Sequence, residues 1–221
     1  MTPLRAAVAI TWATKYAFDP IALSEIFFSG SVADADVMPI IAFATSASSA
    51  ACTQDAVSYS GRGVVRNYGD SNKTSPDPMP SLYDRTCYFD STSKWNFKSW
   101  VPQAVVINLG TNDFSTHPYP DSSIFEAAYG KLIDRVRTLY PNVTVFCVIG
   151  PMVEEPCEGY IRDVVQRQQK LEGRDRDVFF VDIPREIMAD FDWGCEMHPN
   201  IYGSMKMAGL IVPEIKLRMN W

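Results

Sequence analysis

Only two histidines occur in 221 residues, His117 and His198. His198 stands in Gly194-Cys195-Glu196-Met197-His198-Pro199-Asn200, between a predicted strand and the last predicted helix. An imidazole on such a loop is placed for proton transfer, although a histidine flanking a helix serves equally well as a hydrogen-bonding group. His117, close to Pro118 and Pro120, reads as part of a surface loop. The second signal is Gly110-Thr111-Asn112-Asp113, directly after the apolar run 104–109. An asparagine amide there can donate to a developing oxyanion, and Gly110 lets the backbone turn sharply; a plain capping turn uses the same residues. The third is Ser60-Gly61-Arg62-Gly63, whose glycine backbone can offer an unobstructed N–H. Taken alone, that Gly-x-Gly is a turn.

The elements that position these residues alternate. Residues 104–109, 143–149 and 178–181 are short, apolar and rich in β-branched or aromatic side chains, as buried parallel strands are. Between them, Phe125, Ala128, Leu132, Val136 and Leu139 recur at helical spacing across 121–140, and 161–171 is a charged helix candidate. Ile201, Met205, Ala208, Val212 and Ile215 predict a final helix over 201–219, with Pro213 as a kink. Strand, helix, strand, helix, strand, helix implies a mostly parallel sheet covered on both faces. The first third is less periodic: strands are expected at 25–28 and 56–60 and a helix at 38–51. Residues 66–100 show no periodicity but hold seven aromatics, which argues for order and function. With no repeat and no linker, one domain over 1–221 is expected, its first 25 residues atypical.

Composition narrows the partners. A net charge of −6 with no basic cluster speaks against a nucleic-acid phosphate backbone. The longest uncharged stretch, 37–54, contains Pro39 and five Ser or Thr, so no membrane span is expected. The apolar run 6–13 after Arg5 makes a poor secretory leader, and the sequons at Asn72 and Asn142 matter only in a secreted chain. The compartment stays open, secretion included. Five cysteines with no C-x-x-C pair, and no dinucleotide fingerprint, lead us to expect neither metal nor cofactor.

In order and context, the three signals resemble blocks two, three and five of the SGNH (GDSL-like) hydrolases, most closely the family 2 carbohydrate esterases. The resemblance covers roughly residues 56–215. It implies a three-layer α/β/α sandwich with a flavodoxin-like sheet, and ester hydrolysis by a serine nucleophile, typically removal of acetyl groups from carbohydrate. Carried onto this chain, it makes His198 the general base and places the Gly61 N–H and the Asn112 side chain in the oxyanion hole.

The sequence departs from the family pattern at two places. A literal Gly69-Asp70-Ser71 follows the Gly61 block instead of preceding it and reads as a coincidental turn. The nucleophile position falls better on Ser31 in Ile26-Phe27-Phe28-Ser29-Gly30-Ser31-Val32, weighed against Ser31 as an ordinary loop serine. The aspartate usual three residues before the histidine is replaced by Cys195. The resemblance allows a Ser-His dyad whose imidazole is oriented by a backbone carbonyl; Asp192 and Glu196 are alternative orienting groups. The aromatics of 66–100 are candidates for a sugar-facing wall or for covering the core; Tyr68 is the one assigned to substrate. Two functions follow: a serine esterase acting on acetylated carbohydrate or another small ester, or an inactive hydrolase-fold protein that binds carbohydrate.

Overall fold

The computed structural model describes residues 5–11, 52–171 and 177–221. Five strands, β1 (Arg5–Thr11), β2 (Cys52–Ser58), β3 (Ala104–Asn108), β4 (Thr144–Val148) and β5 (Val178–Val181), form one sheet in the order β2-β1-β3-β4-β5. Every pairing is parallel. This is the flavodoxin-like doubly wound order that the resemblance implies, with its topological switch between β1 and β3. Thr11 pairs in register with Ser58 on one side and with Asn108 on the other. The carboxyl ends of β2, β1 and β3 therefore lie level along one edge.

Burial follows the two-residue period of the central strands. Val105, Ile107, Val145 and Cys147 face one core, shared with α2 (Ser122–Leu139) and α3 (Cys157–Lys170). Ala104, Val106, Phe146 and Val148 face the other, where α4 (Ile201–Met219) supplies Met207, Ile211 and Ile215. All five residues of β3 are buried, as the continuous apolar run predicts. The sheet is thus the middle of three layers.

Four expectations need adjustment. The first 25 residues, expected to be atypical, supply β1, the strand lying between β2 and β3. β2 lies at Cys52–Ser58 instead of 56–60, and α3 begins at Cys157, a turn earlier than expected because Gly159 weakens the local helix signal. α4 spans the predicted residues, but Met205 is exposed and the buried face runs through Gly203, Met207, Ile211 and Ile215. Gly203 sets that face: a Cβ there would lie 2.5 Å from Met188 Cε and 2.7 Å from the Asp192 carbonyl, so the helix seats its bare backbone against that segment. Pro213 sits on the exposed side without dividing the helix. The expected strand at 25–28, the helix at 38–51 and Ser31 lie outside the described residues.

Residues 66–100 are built from turns around one short helix, α1 (Met79–Leu82). Their aromatics divide. Tyr83, Phe97 and Trp100 join the core, while Tyr68 and Phe89 are 68% and 87% exposed.

Candidate active site

In an all-parallel sheet, the loops that follow the strands leave from one edge, and ligands bind there. Gly61 lies three residues beyond β2 and Asn112 four beyond β3; His198 lies on the segment between β5 and α4. All three are therefore on that edge. The first two are joined directly, because the Asn112 side-chain N–H donates to the Arg62 carbonyl at 2.9 Å. Since β2 and β3 flank β1, this bond spans the carboxyl end of β1. A primary amide has two N–H donors, so one remains for a ligand after the bond to Arg62.

Gly61 has φ of +76°, a conformation open to glycine at little cost. Its carbonyl accepts from the Tyr68 N–H at 2.8 Å, which sets the exposed Tyr68 ring beside it. The Arg62 side chain is held from outside. Its guanidinium pairs with Asp77 at 2.7 Å and lies 4.9 Å from the Tyr59 ring centroid and 5.2 Å from that of Tyr88. Holding Arg62 holds the carbonyl that orients Asn112.

Asp113 has a part that the motif alone does not disclose. It is fully buried, and its carboxylate accepts from the backbone N–H groups of Val64 at 2.8 Å, Val65 at 2.7 Å and Arg66 at 2.9 Å. Burial raises its pKa to about 6, against the opposing pull of those N–H donors. Gly63 makes the approach feasible: a Cβ there would sit 2.4 Å from the carboxylate and 2.0 Å from the Arg66 carbonyl. The available signal was the second glycine of Ser60-Gly61-Arg62-Gly63, which has no positive φ to explain it and marks a close approach instead. Arg66, also buried, donates to the Pro118 carbonyl at 2.9 Å and ties in the loop that carries His117. His117 itself is exposed and stacked on Tyr119 at 3.9 Å.

His198 sits in a self-bonded turn. Its Nδ1 is 3.2 Å from the Cys195 carbonyl, its N–H donates to the same carbonyl at 3.1 Å, and its own carbonyl accepts from Gly194 at 2.7 Å. Glu196 and Met197 take positive φ of 53° and 59° to make this turn, an unfavourable conformation for non-glycine residues. Of the carboxylates considered as orienting groups, Asp192 is committed elsewhere. It accepts from Lys206 Nζ and, at 2.6 Å, from the Ala189 N–H, and Lys206 holds its pKa below the ordinary value. Glu196 is exposed. Asn200 caps α4, accepting from Tyr202 and Gly203 N–H groups at 2.9 and 3.2 Å, while its amide donates to the Phe191 carbonyl at 2.6 Å.

Gly69-Asp70-Ser71 forms an exposed turn in which Asp70 is occupied by the Ser75 hydroxyl. No group of metal-ligating side chains is found among the described residues, and no described helix is long and apolar enough to cross a membrane.

Comparison with known proteins identifies the family. Cellulase/esterase CelE from Acetivibrio thermocellus is 37% identical over 171 residues, 75% of this chain and 20% of that protein. An acetylxylan esterase / glucomannan deacetylase from Cellvibrio japonicus is 52% identical over 58 residues, 26% of this chain and 15% of that protein. The chain thus spans a fifth or less of these curated relatives. Among solved structures, a family 2 carbohydrate esterase from Clostridium thermocellum in complex with cellohexaose superposes with a TM-score of 0.75 at 28% identity, covering 100% of this chain and 66% of that one. The model of the GDSL-like lipase/acylhydrolase family matches residues 47–204. With its doubly wound sheet and the Asn112 and His198 blocks on one edge, the chain belongs to the GDSL-like lipase/acylhydrolase family.

Proposed function

We propose that the chain is a serine esterase that removes acetyl groups from carbohydrate. The observation that carries this reading is the bond from the Asn112 amide to the Arg62 carbonyl, which gathers two donor-bearing loops over the end of β1. In the proposed mechanism, the Gly61 N–H and the second Asn112 N–H stabilise the oxyanion of the tetrahedral intermediate. His198 takes the serine proton and returns it to the departing sugar hydroxyl. Its Nδ1 is oriented by the Cys195 carbonyl in place of a carboxylate. Acetylated polysaccharide is the substrate class favoured by the names of the relatives, an acetylxylan esterase / glucomannan deacetylase and an esterase solved with cellohexaose. Tyr68, exposed and bonded through its N–H to the Gly61 carbonyl, is the side chain we assign to stacking on a sugar ring.

The nucleophile must come from the segment after β1, because Gly61 and Asn112 flank that strand's carboxyl end. Ser31 is our assignment within it. One observation favours the second reading, an inactive carbohydrate-binding protein: the sequence that follows β1 is Trp12-Ala13-Thr14, not Gly-Asp-Ser.

Labelling with a serine-reactive fluorophosphonate, followed by peptide mapping, separates the two. Modification at Ser31 that is lost in His198→Ala is the expected result. Absence of both labelling and p-nitrophenyl acetate turnover in folded protein leaves the binding reading.

A further inference from the structure

We infer that Asp113 is a positioning residue, a carboxylate clamp that fixes the Gly61–Arg62 backbone against Asn112; its role in turnover rests on the esterase reading above. Asn112 and Asp113 are adjacent, yet they bind different parts of the same distant loop. Asn112 holds the Arg62 carbonyl, while Asp113 gathers the three consecutive N–H groups of Val64, Val65 and Arg66. These bonds cross 47 to 50 residues of chain. Two adjacent side chains grasping one loop at two points fix its direction as well as its distance. Met79 adds a third tie, donating to the Gly63 carbonyl at 2.8 Å.

A carboxylate has acceptor capacity for three N–H groups at once, which neither an amide nor a hydroxyl matches with a single full charge. Buried and touching no solvent, Asp113 has no role in capturing substrate. The close fit at Gly63 shows how tightly the two loops meet: no side chain fits between the loop and the carboxylate. An oxyanion hole gains its effect from donors held in place before the charge develops, so a loosened clamp lowers the rate of the chemical step more than it weakens substrate binding.

The test uses the full chain and p-nitrophenyl acetate. Asp113→Asn keeps the side chain's shape but leaves one carbonyl oxygen for three N–H groups. Gly63→Ala presses on the same carboxylate from the other side without altering any charge. Each is expected to lower kcat per folded molecule on the order of 10²-fold, with KM within about twofold. The double variant is expected to fall little further, since both changes undo one clamp. Lys73→Ala, which removes an exposed ion pair with Asp121, serves as the unaffected control. Amide exchange of Val64, Val65 and Arg66 reads the clamp independently of activity and is expected to accelerate in both variants. Wild-type kcat in Asp113→Asn, or additive losses in the double variant, overturns the proposal. An inactive wild type counts against the esterase reading instead; the exchange data then decide the clamp, and unchanged protection in the variants overturns it.

Discussion

The imidazole Nδ1 of His198 lies 3.2 Å from the carbonyl oxygen of Cys195, the residue that stands where a triad aspartate is usual. The acceptor thus comes from the backbone of the replacing residue, presented by the left-handed turn through Glu196 and Met197. A carbonyl selects the tautomer with the proton on Nδ1, which puts the basic lone pair on Nε2, as the proposed mechanism requires. It carries no full charge, so it stabilises the imidazolium less than a carboxylate does.

Because this acceptor belongs to the backbone, the Cys195 side chain is dispensable. Cys195→Ala is expected to retain kcat for p-nitrophenyl acetate within about twofold, while His198→Ala removes turnover. A loss in Cys195→Ala comparable with that in His198→Ala contradicts this account.

Asn112→Ala removes the oxyanion donor proposed here and the bond to Arg62 together. The expected cost is on the order of 10²–10³ in kcat. Steady-state kinetics on a small acetyl ester measure it, and unchanged kcat takes Asn112 out of the mechanism.

Tyr68→Ala separates carbohydrate recognition from chemistry. The ring is exposed beside Gly61, so its loss is expected to raise KM several-fold for acetylated xylo- or gluco-oligosaccharide while leaving p-nitrophenyl acetate kinetics unchanged. Parallel losses on both substrates argue against a sugar contact.

The pH dependence of stability has a defined sign at Asp113. Its folded pKa, about 6, lies above the ordinary carboxylate value of 3.8, so the native state binds more protons between those limits. That group's contribution falls as pH rises from about 4 to 6 and is level above. Denaturant midpoints across this window, compared between wild type and Asp113→Asn, are expected to diverge in slope in that direction; identical slopes refute the shift.

At the start of α4, Asn200→Ala removes the helix cap and the tie to the Phe191 carbonyl. We expect a loss of about 1 kcal/mol, seen as a lowered Tm. Reduced kcat should accompany it, because the segment it anchors carries His198.

How much of this was legible in the sequence depended on whether a residue's partners are near in the chain. β3, β4 and β5 were readable as short apolar runs, and α2 by the helical spacing of its apolar side chains. β1 was not: an alanine-rich apolar run at the start of the chain carries no strand signal of its own, and β2 and β3 pairing on either side of it make it a strand. The buried face of α4 was misassigned because two helical stripes of apolar residues compete, and Gly203, through its close approach to Met188, decides between them. Asn112 and His198 could be nominated from their contexts. The role of Asp113 could not, since a carboxylate does not announce which N–H groups nearly fifty residues away it will take.

The two halves of the candidate site differ in how they are made. The half that carries Gly61 and Asn112 joins two loops across the sheet. The segment between β5 and α4 bonds chiefly to itself, through Asp192 to Ala189, Asn200 to Asp192, and His198 to Gly194 and Cys195. Such a segment is a natural unit for grafting: the counterpart of residues 182–200 from a relative, transferred whole with its capping asparagine, can replace His198 and its surroundings at once. The Gly61 loop admits no comparable exchange, since a new loop there needs a matching aspartate after β3 to receive it.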